Sequence, residues 1–308
     1  MSEPLQIAVV VNYNGGAALA RALGALRASD FGAGPVVVVD NASRDGSAAT
    51  LASLPGVELL ALPRNVGFAG GANVGIRRAL ERGAAQVLLL NPDTEVEPGF
   101  LAPLSAALAG GAALAGPKLL LPGVPARLWS AGGALTYGRN LALLAGHREL
   151  DHGQHDTPRD VTFLPGTVWL LSRAALEKVG LLDEQFFCYV EDVDWCARAL
   201  AAGCRLRYEP ASRVVHEGSA ASGGGYTPLR KYLSARNAFP FLRKHGTPAR
   251  WLSFVAGDVL TLPFAFAYAL LRGRPGAALW KARGLLDGWR ARPFEGARRA
   301  ALLPSERT

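Results

Sequence analysis

Three carboxylates crowd one short stretch of the chain, Tyr189-Val190-Glu191-Asp192-Val193-Asp194-Trp195. Attack by a hydroxyl needs a carboxylate that removes its proton. Neighbouring acids discourage simultaneous ionisation, which raises the pKa of one member. The plainer reading is favourable charge at a helix start, and Asp194 fits that reading best. Asp93 follows an apolar run in Leu89-Leu90-Asn91-Pro92-Asp93-Thr94. An oxygen ligand there suits Mg2+ or Mn2+, the hard cations that neutralise a diphosphate leaving group. His216 follows the apolar pair Val214-Val215 and becomes a candidate metal ligand in the company of Asp93. By contrast, His147, His152 and His155 read as an exposed loop.

Two further stretches could hold a nucleotide. In Val38-Val39-Asp40-Asn41-Ala42-Ser43, Asp40 ends a buried-strand pattern. A carboxylate there can accept from the imide N–H of uracil or thymine; equally, Asp40 or Asn41 can cap the next helix. Arg64-Asn65-Val66-Gly67-Phe68-Ala69-Gly70-Gly71-Ala72-Asn73 is a Gly-rich loop opening a helix, where backbone can approach a diphosphate. It matches neither G-x-G-x-x-G nor the Lys-Ser/Thr ending of a P-loop.

These residues need a scaffold. Ile7–Val11, Val36–Val39, Val57–Ala61 and Val87–Leu90 read as buried strands. Ala17–Ala28, Ala48–Ser53 and Ala69–Arg82 between them read as helices. Such alternation predicts βαβ units and a mostly parallel sheet, with ligands at the carboxyl ends of its strands. Residues 110–165 carry short strand-like pieces, Lys118–Leu121 and Val161–Leu164, as an irregular or antiparallel continuation. Ala174–Val179 reads as a short helix and Glu191–Ala202 as a clearer one, stopped by Gly203.

Charge divides the chain of 308 residues at about position 228. Residues 1–228 hold 18 Lys and Arg against 21 Asp and Glu, a net of −3. Residues 229–308 hold 15 against 4, a net of +11, so the overall +8 is a property of the tail and argues against nucleic acid as partner. Residues 251–271 are nearly all apolar, interrupted by Asp258 and Pro263. We read them as a helix lying in an anionic membrane interface, flanked by Arg250, Arg272 and Arg274; a spanning helix or one packed on the protein are the alternatives. Cys188, Cys196 and Cys204 are too few and too evenly spaced for a disulfide framework or a zinc site, and read as core residues. The start, Met-Ser-Glu-Pro, has neither a basic leader nor an apolar signal region, which points to the cytoplasm.

Taken in order, Val10-Val11-Asn12-Tyr13-Asn14, Asp40-Asn41-Ala42-Ser43, Asn65-Val66-Gly67-Phe68, Asn91-Pro92-Asp93, Glu191-Asp192-Val193-Asp194 and His216 resemble the family-2 inverting glycosyltransferases with the GT-A fold. The resemblance covers roughly residues 5–220 and is nearest to rhamnosyltransferase-like enzymes of bacterial cell-surface polysaccharides. It implies an α/β fold: a GT-A, Rossmann-like mixed sheet flanked by helices over residues 1–226, with a basic helical region over 227–308. It implies a dTDP- or UDP-sugar donor, dTDP-rhamnose among them, and a glycan or lipid-linked acceptor. Asp192 is then the catalytic base, and Asp93 and His216 hold Mg2+ or Mn2+. Tyr13, Asn14, Asp40, Arg64, Gly70, Asn73 and Asp93 are expected at the donor. Gly166, Thr167 and Glu191 are expected on the acceptor side. Asn91 departs from the Asp-x-Asp of many relatives, leaving one anionic ligand fewer. The expected location is cytoplasmic, on the inner face of the membrane.

Two alternatives share the scaffold. A sugar-phosphate nucleotidyltransferase would carry a basic Gly-rich loop after the first strand, where this chain has Asn12-Tyr13-Asn14-Gly15-Gly16 and no base before Arg21. A non-catalytic nucleotide-sugar-binding module would have no use for Asp93 and Asp192 together.

Overall fold

A computed structural model describes residues 4–48, 54–138, 140–218, 227–271, 273 and 275–303. Most of the expected helix Ala48–Ser53, and Ser219, Arg272 and Arg274, lie outside them.

The first half follows the expected alternation. β1 (Gln6–Asn12), α1 (Gly16–Ala28), β2 (Val36–Asp40), β3 (Val57–Ala61), α2 (Gly67–Glu81) and β4 (Gln86–Leu90) form a parallel unit with spatial order β3-β2-β1-β4. Alternate residues of each strand enter two different cores. Ile7, Val9, Val11, Val37, Val39, Val87 and Leu89 pack on α2, whereas Ala8, Val10, Val36, Val38, Leu88 and Leu90 pack on α1. A side-chain period of two on strands covered on both faces produces this division. In α1 the buried set Leu19, Ala22, Leu23 and Leu26 keeps helical spacing.

β5 (Thr94–Val96) and α3 (Leu101–Ala109) lead into β6 (Leu114–Leu121), longer than the expected strand over Lys118–Leu121. β7 (Arg127–Ser130) pairs with β6, and β8 (Gly133–Leu135) pairs with β9 (Ala142–Leu144) as a separate hairpin. β10 (Arg159–Val161) ends before Leu164, short of the expected strand; Phe163 keeps an isolated bridge to Gly133. β11 (Val168–Ser172) runs antiparallel to β4, with Val168 opposite Leu90. α4 (Arg173–Val179) and α5 (Glu191–Ala201) follow, and β12 (Leu206–His216) completes the sheet between β6 and β10. The sheet is therefore mixed, as expected of residues 110–165, although β12 and β6 pair in parallel.

Helices after residue 227 are not peripheral to this core. α6 (Pro228–His245) contributes Ala235, Ala238, Phe239, Phe241 and Leu242 to the cluster that covers the α2 face of the sheet. α7 (Pro248–Phe254) adds Phe254, whose ring meets Phe239 at 5.5 Å. A π-helical turn, Val255–Val259, joins it to α8 (Leu262–Leu271). α9 (Pro275–Trp289) crosses α6 closely: a Cβ on Gly284 would stand 2.3 Å from the Tyr232 carbonyl oxygen. Beneath the crossing, fully buried Asp287 accepts from Tyr232 Oη at 3.0 Å and faces Arg283, Arg292 and Arg298. α10 (Gly296–Leu302) closes the described chain. Among the described residues no helix is long and apolar enough to cross a membrane, so residues 251–271 do not form a spanning helix. Part of that run packs inward through Phe254, while Leu252, Leu260, Phe264 and Leu271 stay exposed and Asp258 pairs with Lys281.

Candidate active site

Parallel register sets Asn12 beside Asp40 at the carboxyl ends of β1 and β2. Buried Asn12 is a hub there: its Nδ2 donates to Asp40 Oδ1 at 2.9 Å, Ser43 Oγ at 3.1 Å and Ser47 Oγ at 2.9 Å. Asp40 Oδ2 accepts from the Ser43 N–H at 3.2 Å, so both oxygens are oriented by the loop that follows. Asn14, in left-handed conformation, accepts from the Arg44 N–H at 2.8 Å and closes this loop from the other side. Tyr13 is half-buried and packs on the cluster that holds Tyr232 of α6 and Phe294 between α9 and α10.

The next strand end is stitched by asparagines. Asn41 accepts from the Val66 N–H at 2.8 Å and donates to the Gly67 carbonyl at 2.9 Å. Asn65 accepts from the Gly67 N–H, and Ala69 N–H donates to the Phe187 carbonyl. The N–H groups of Val66, Gly67 and Ala69 at the start of α2 thus already have protein partners and are not free to bind a diphosphate. The run serves close packing: a Cβ on Gly71 would meet Val11 at 2.8 Å, and one on Gly70 would meet Val66 at 2.8 Å. Asn73, expected at the donor, has its amide engaged by Leu182 and Glu184 inside the fold. Arg64 is exposed on the turn before Asn65.

Asp93 and His216 do meet. Antiparallel pairing of β5 with β12 places His216 opposite Thr94, and the Glu217 N–H donates to the Asp93 carbonyl at 3.0 Å. His216 Nε2 then lies 3.4 Å from Asp93 Oδ1, with both side chains nearly buried. The imidazole stands edge-on to Trp129 at 4.7 Å. Neither ring nitrogen of His216 makes a hydrogen bond among the described residues, and buried Asn91 Oδ1 has none either. A buried imidazole and amide oxygen left open in this way fit a cation that the protein only partly ligates. No cluster of three or more His, Cys, Asp or Glu side chains suited to a metal occurs among the described residues, the three loop histidines included.

Asp192 sits in the first turn of α5. Its Oδ2 accepts from the Gly166 N–H at 3.1 Å and its Oδ1 from the Val193 N–H at 2.8 Å. The carbonyl of the next residue, Thr167, accepts from the Asn91 N–H at 3.0 Å. Gly166-Thr167 therefore joins the Asp192 carboxylate to the loop that carries Asp93. Burial raises the Asp192 carboxyl above its ordinary range, while the Gly166 and Val193 N–H groups and Arg230 pull partly against it. Glu191 is pushed higher still, by burial and then by the Asp192 charge, and its Oε2 has no hydrogen-bond partner among the described residues. Asp192, with its N–H donors, ionises first. Asp194 does something different: burial opposes its ionisation, yet hydrogen bonds from His245 and Arg198 outweigh it and hold the carboxyl below the usual range. It is a structural tie to α6, which agrees with reading it as charge without chemistry.

Residues just before α5 carry backbone strain. Phe187, Tyr189 and Val190 all have positive φ, at 62°, 66° and 77°. Such non-glycine conformations cost about 1–3 kcal/mol each and persist only where surroundings enforce them. Arg230, on α6, stands over the Tyr189 ring at 5.7 Å. Sequence reading singled out neither Arg230 nor the polar residues of α6. They lie in a basic helix whose local pattern says nothing of what it faces. Cys196 is buried; Cys188 and Cys204 are half-buried at the edges of the core.

A parallel nucleotide-binding half followed by a mixed half, with acids at the strand ends, defines the GT-A class of glycosyltransferase folds. Comparison agrees: a mannosyltransferase from Pyrobaculum calidifontis, solved with GDP-Man and Mn2+, superposes with a TM-score of 0.54 over 99% of this chain and 80% of that one, at 17% identity. The chain belongs to glycosyl transferase family 2, whose profile matches residues 7–180. It is 32% identical to the dTDP-rhamnosyl transferase RfbF of Shigella flexneri over 69% of this chain and 72% of that protein. It is also 28% identical to the N-acetylglucosaminyl-diphospho-decaprenol L-rhamnosyltransferase of Mycobacterium tuberculosis, over 72% of this chain and 79% of that protein. The protein is a glycosyltransferase, and the nucleotidyltransferase alternative falls away.

Proposed function

We propose that this glycosyltransferase is inverting and metal-dependent, and that it moves a sugar, with dTDP-rhamnose the first donor to test, onto an acceptor hydroxyl. The single observation that carries this reading is the Asp192 carboxylate, aimed by the Gly166 N–H and tied through Thr167 to the loop bearing Asp93. Asp40 receives the pyrimidine imide, supported by Asn12, with Tyr13, Asn14 and Arg64 around the nucleotide. Asp93 and His216 would hold Mg2+ or Mn2+, which supplies neutralisation of charge on the departing diphosphate. Asp192 takes the proton of the acceptor hydroxyl; that oxygen bonds to the anomeric carbon from the face opposite the nucleoside diphosphate, whose C–O bond breaks. Configuration at the anomeric carbon inverts. Glu191 and Gly166-Thr167 border the acceptor. The likeness to dTDP-rhamnosyl and decaprenol-linked L-rhamnosyl transferases supports the donor and a lipid-linked acceptor in polysaccharide synthesis.

A peripheral site on the anionic, cytoplasmic face of a membrane completes this reading. Its support is the exposed apolar set Leu252, Leu260, Phe264, Tyr268 and Leu271, within a C-terminal region of net charge +11. Apolar insertion and basic charge act together on such surfaces. A screen of dTDP- and UDP-sugars, following nucleotide release and the anomeric configuration of the product, tests the proposal. Retention of configuration would remove single displacement, and failure of every donor would remove the donor class.

A further inference from the structure

The strained run before α5 is held by a side chain from outside the sheet. Asn237, fully buried on α6, directs its Nδ2 at three backbone carbonyls of that loop, those of Phe186 at 2.7 Å, Cys188 at 3.0 Å and Tyr189 at 2.7 Å, its two N–H groups shared among them. The amide cannot be turned round, because Arg236 Nη1 donates to Asn237 Oδ1 at 2.7 Å and a guanidinium has no acceptor to offer. Arg236 also donates to the Gln185 carbonyl at 2.8 Å, extending the same clamp by one residue. Between these anchors Phe187 forms a γ-turn, with φ 62° and ψ −64° and the Cys188 N–H donating to the Phe186 carbonyl at 2.7 Å. This is a rare and strained turn. Val190, β-branched and left-handed at φ 77°, then delivers the chain into α5 two residues before Asp192.

We propose that Asn237 is a positioning residue for the transfer reaction: by binding the carbonyls of Phe186, Cys188 and Tyr189 it enforces the left-handed backbone that aims Asp192. The inference rests on Asp192 being the base. Asn237 touches neither substrate nor the Asp192 carboxylate; it acts through the backbone. Without its N–H donors the three positive-φ residues relax to ordinary conformations, and the start of α5 shifts relative to Gly166.

Asn237→Leu keeps the side-chain volume and removes the donors. Its hydrolysis of dTDP-rhamnose or UDP-glucose, whichever the wild type cleaves faster, is measured with dTDP and UDP affinity by calorimetry. Displacement of a reacting group by a fraction of an ångström to an ångström costs up to about 10²-fold, so turnover is expected to fall about 10- to 100-fold with nucleotide affinity kept. Leu285→Ala on α9, which destabilises the same core, is the control and is expected to keep its turnover. Wild-type turnover in Asn237→Leu, or an equal loss in Leu285→Ala, would overturn the proposal. Hydrogen exchange of the peptide spanning 186–192 gives an arm independent of catalysis. It is expected to accelerate in Asn237→Leu while α2 is unchanged, and unchanged exchange at 186–192 overturns the proposal even if no donor is turned over. Should Asn237→Leu fail to fold, Arg236→Met frees the amide to rotate. It is expected to lose turnover in the same direction, and full turnover with unchanged exchange would refute the clamp. If Asp192→Asn retains full activity, it is the assignment of the base that fails, and the exchange arm still reports on the loop.

Discussion

Gly166 donates its backbone N–H to Asp192 Oδ2 at 3.1 Å, and no other residue type fits there without displacement. A Cβ on Gly166 would stand 3.2 Å from the Asp192 Cβ and 3.8 Å from its carboxylate. Gly166→Ala should therefore shift Asp192 by a few tenths of an ångström. Misplacement on that scale is expected to lower turnover by about 10-fold and leave folding intact. Steady-state kinetics with a thermal melt checks both, and unchanged turnover would show that the contact does not aim the base.

Asp192→Asn keeps size and one of the two acceptor oxygens but not basicity. Turnover should fall about 10²–10⁴-fold with donor affinity nearly unchanged. Calorimetry for the donor and product formation for transfer separate the two, and wild-type turnover would take Asp192 out of its role.

pH dependence follows from the buried acid pair. As the proposed base Asp192 must be ionised, and its carboxyl is raised, so activity should rise with pH through a midpoint above about 4, the ordinary Asp value. Glu191 is raised further than Asp192, by burial and then by the Asp192 charge, so Glu191→Gln should leave the acid limb in place. The sign for stability is the reverse of a salt-bridged acid. A folded pKa above the unfolded one means the folded chain binds the proton more tightly. Stability is then lost as pH climbs above the unfolded value. Melting temperatures at pH 5 and pH 8 should fall more for the wild type than for Glu191→Gln. Parallel falls would show that Glu191 is not buried in its neutral form.

The proposed metal dependence is tested at Asp93 and His216, the two residues proposed to hold the ion. Excess chelator should abolish transfer and Mg2+ or Mn2+ should restore it. Asp93→Ala and His216→Ala should each weaken metal-dependent donor binding, since the two side chains meet at 3.4 Å. Full activity in excess chelator would sink the role for both residues together.

Membrane contact is separable from folding because the apolar face is exposed. Leu260→Ser with Phe264→Ser should reduce co-sedimentation with anionic vesicles while leaving the melting temperature unchanged. Salt should weaken wild-type binding without eliminating it, as screening spares the apolar contribution. A chain ended near residue 245 is a poorer test, since it removes α9 and with it Asp287 beneath α6. If the wild type ignores anionic vesicles, the proposed membrane contact fails and the exposed face serves something else.

Much of this protein is legible in short windows of sequence. Hydrophobic runs of strand length separated by helical patterns place β1, β2, β3 and β4 within a residue of their observed limits, because both periodicities are local. Strand polarity then puts Asn12, Asp40 and Asn91 at one end of the sheet, and the ordered motifs carry the family. What local pattern cannot contain is who faces whom. The glycines after Gly67 read in sequence as a loop where backbone approaches a diphosphate, and only the fold shows Gly71 and Gly75 closely packed on Val11 and Val9 of β1. Antiparallel pairing of β5 with β12 decides that His216 meets Asp93, because register between distant strands is set by the whole core. The tail reads as an appendage from its charge and apolarity. Burial of Phe239, Phe241 and Phe254 against the sheet's own core makes it part of the catalytic unit, and puts Asn237 behind the loop of Asp192. Helix crossings are chosen by side-chain complementarity across the fold, and no periodicity along a single helix encodes its partner.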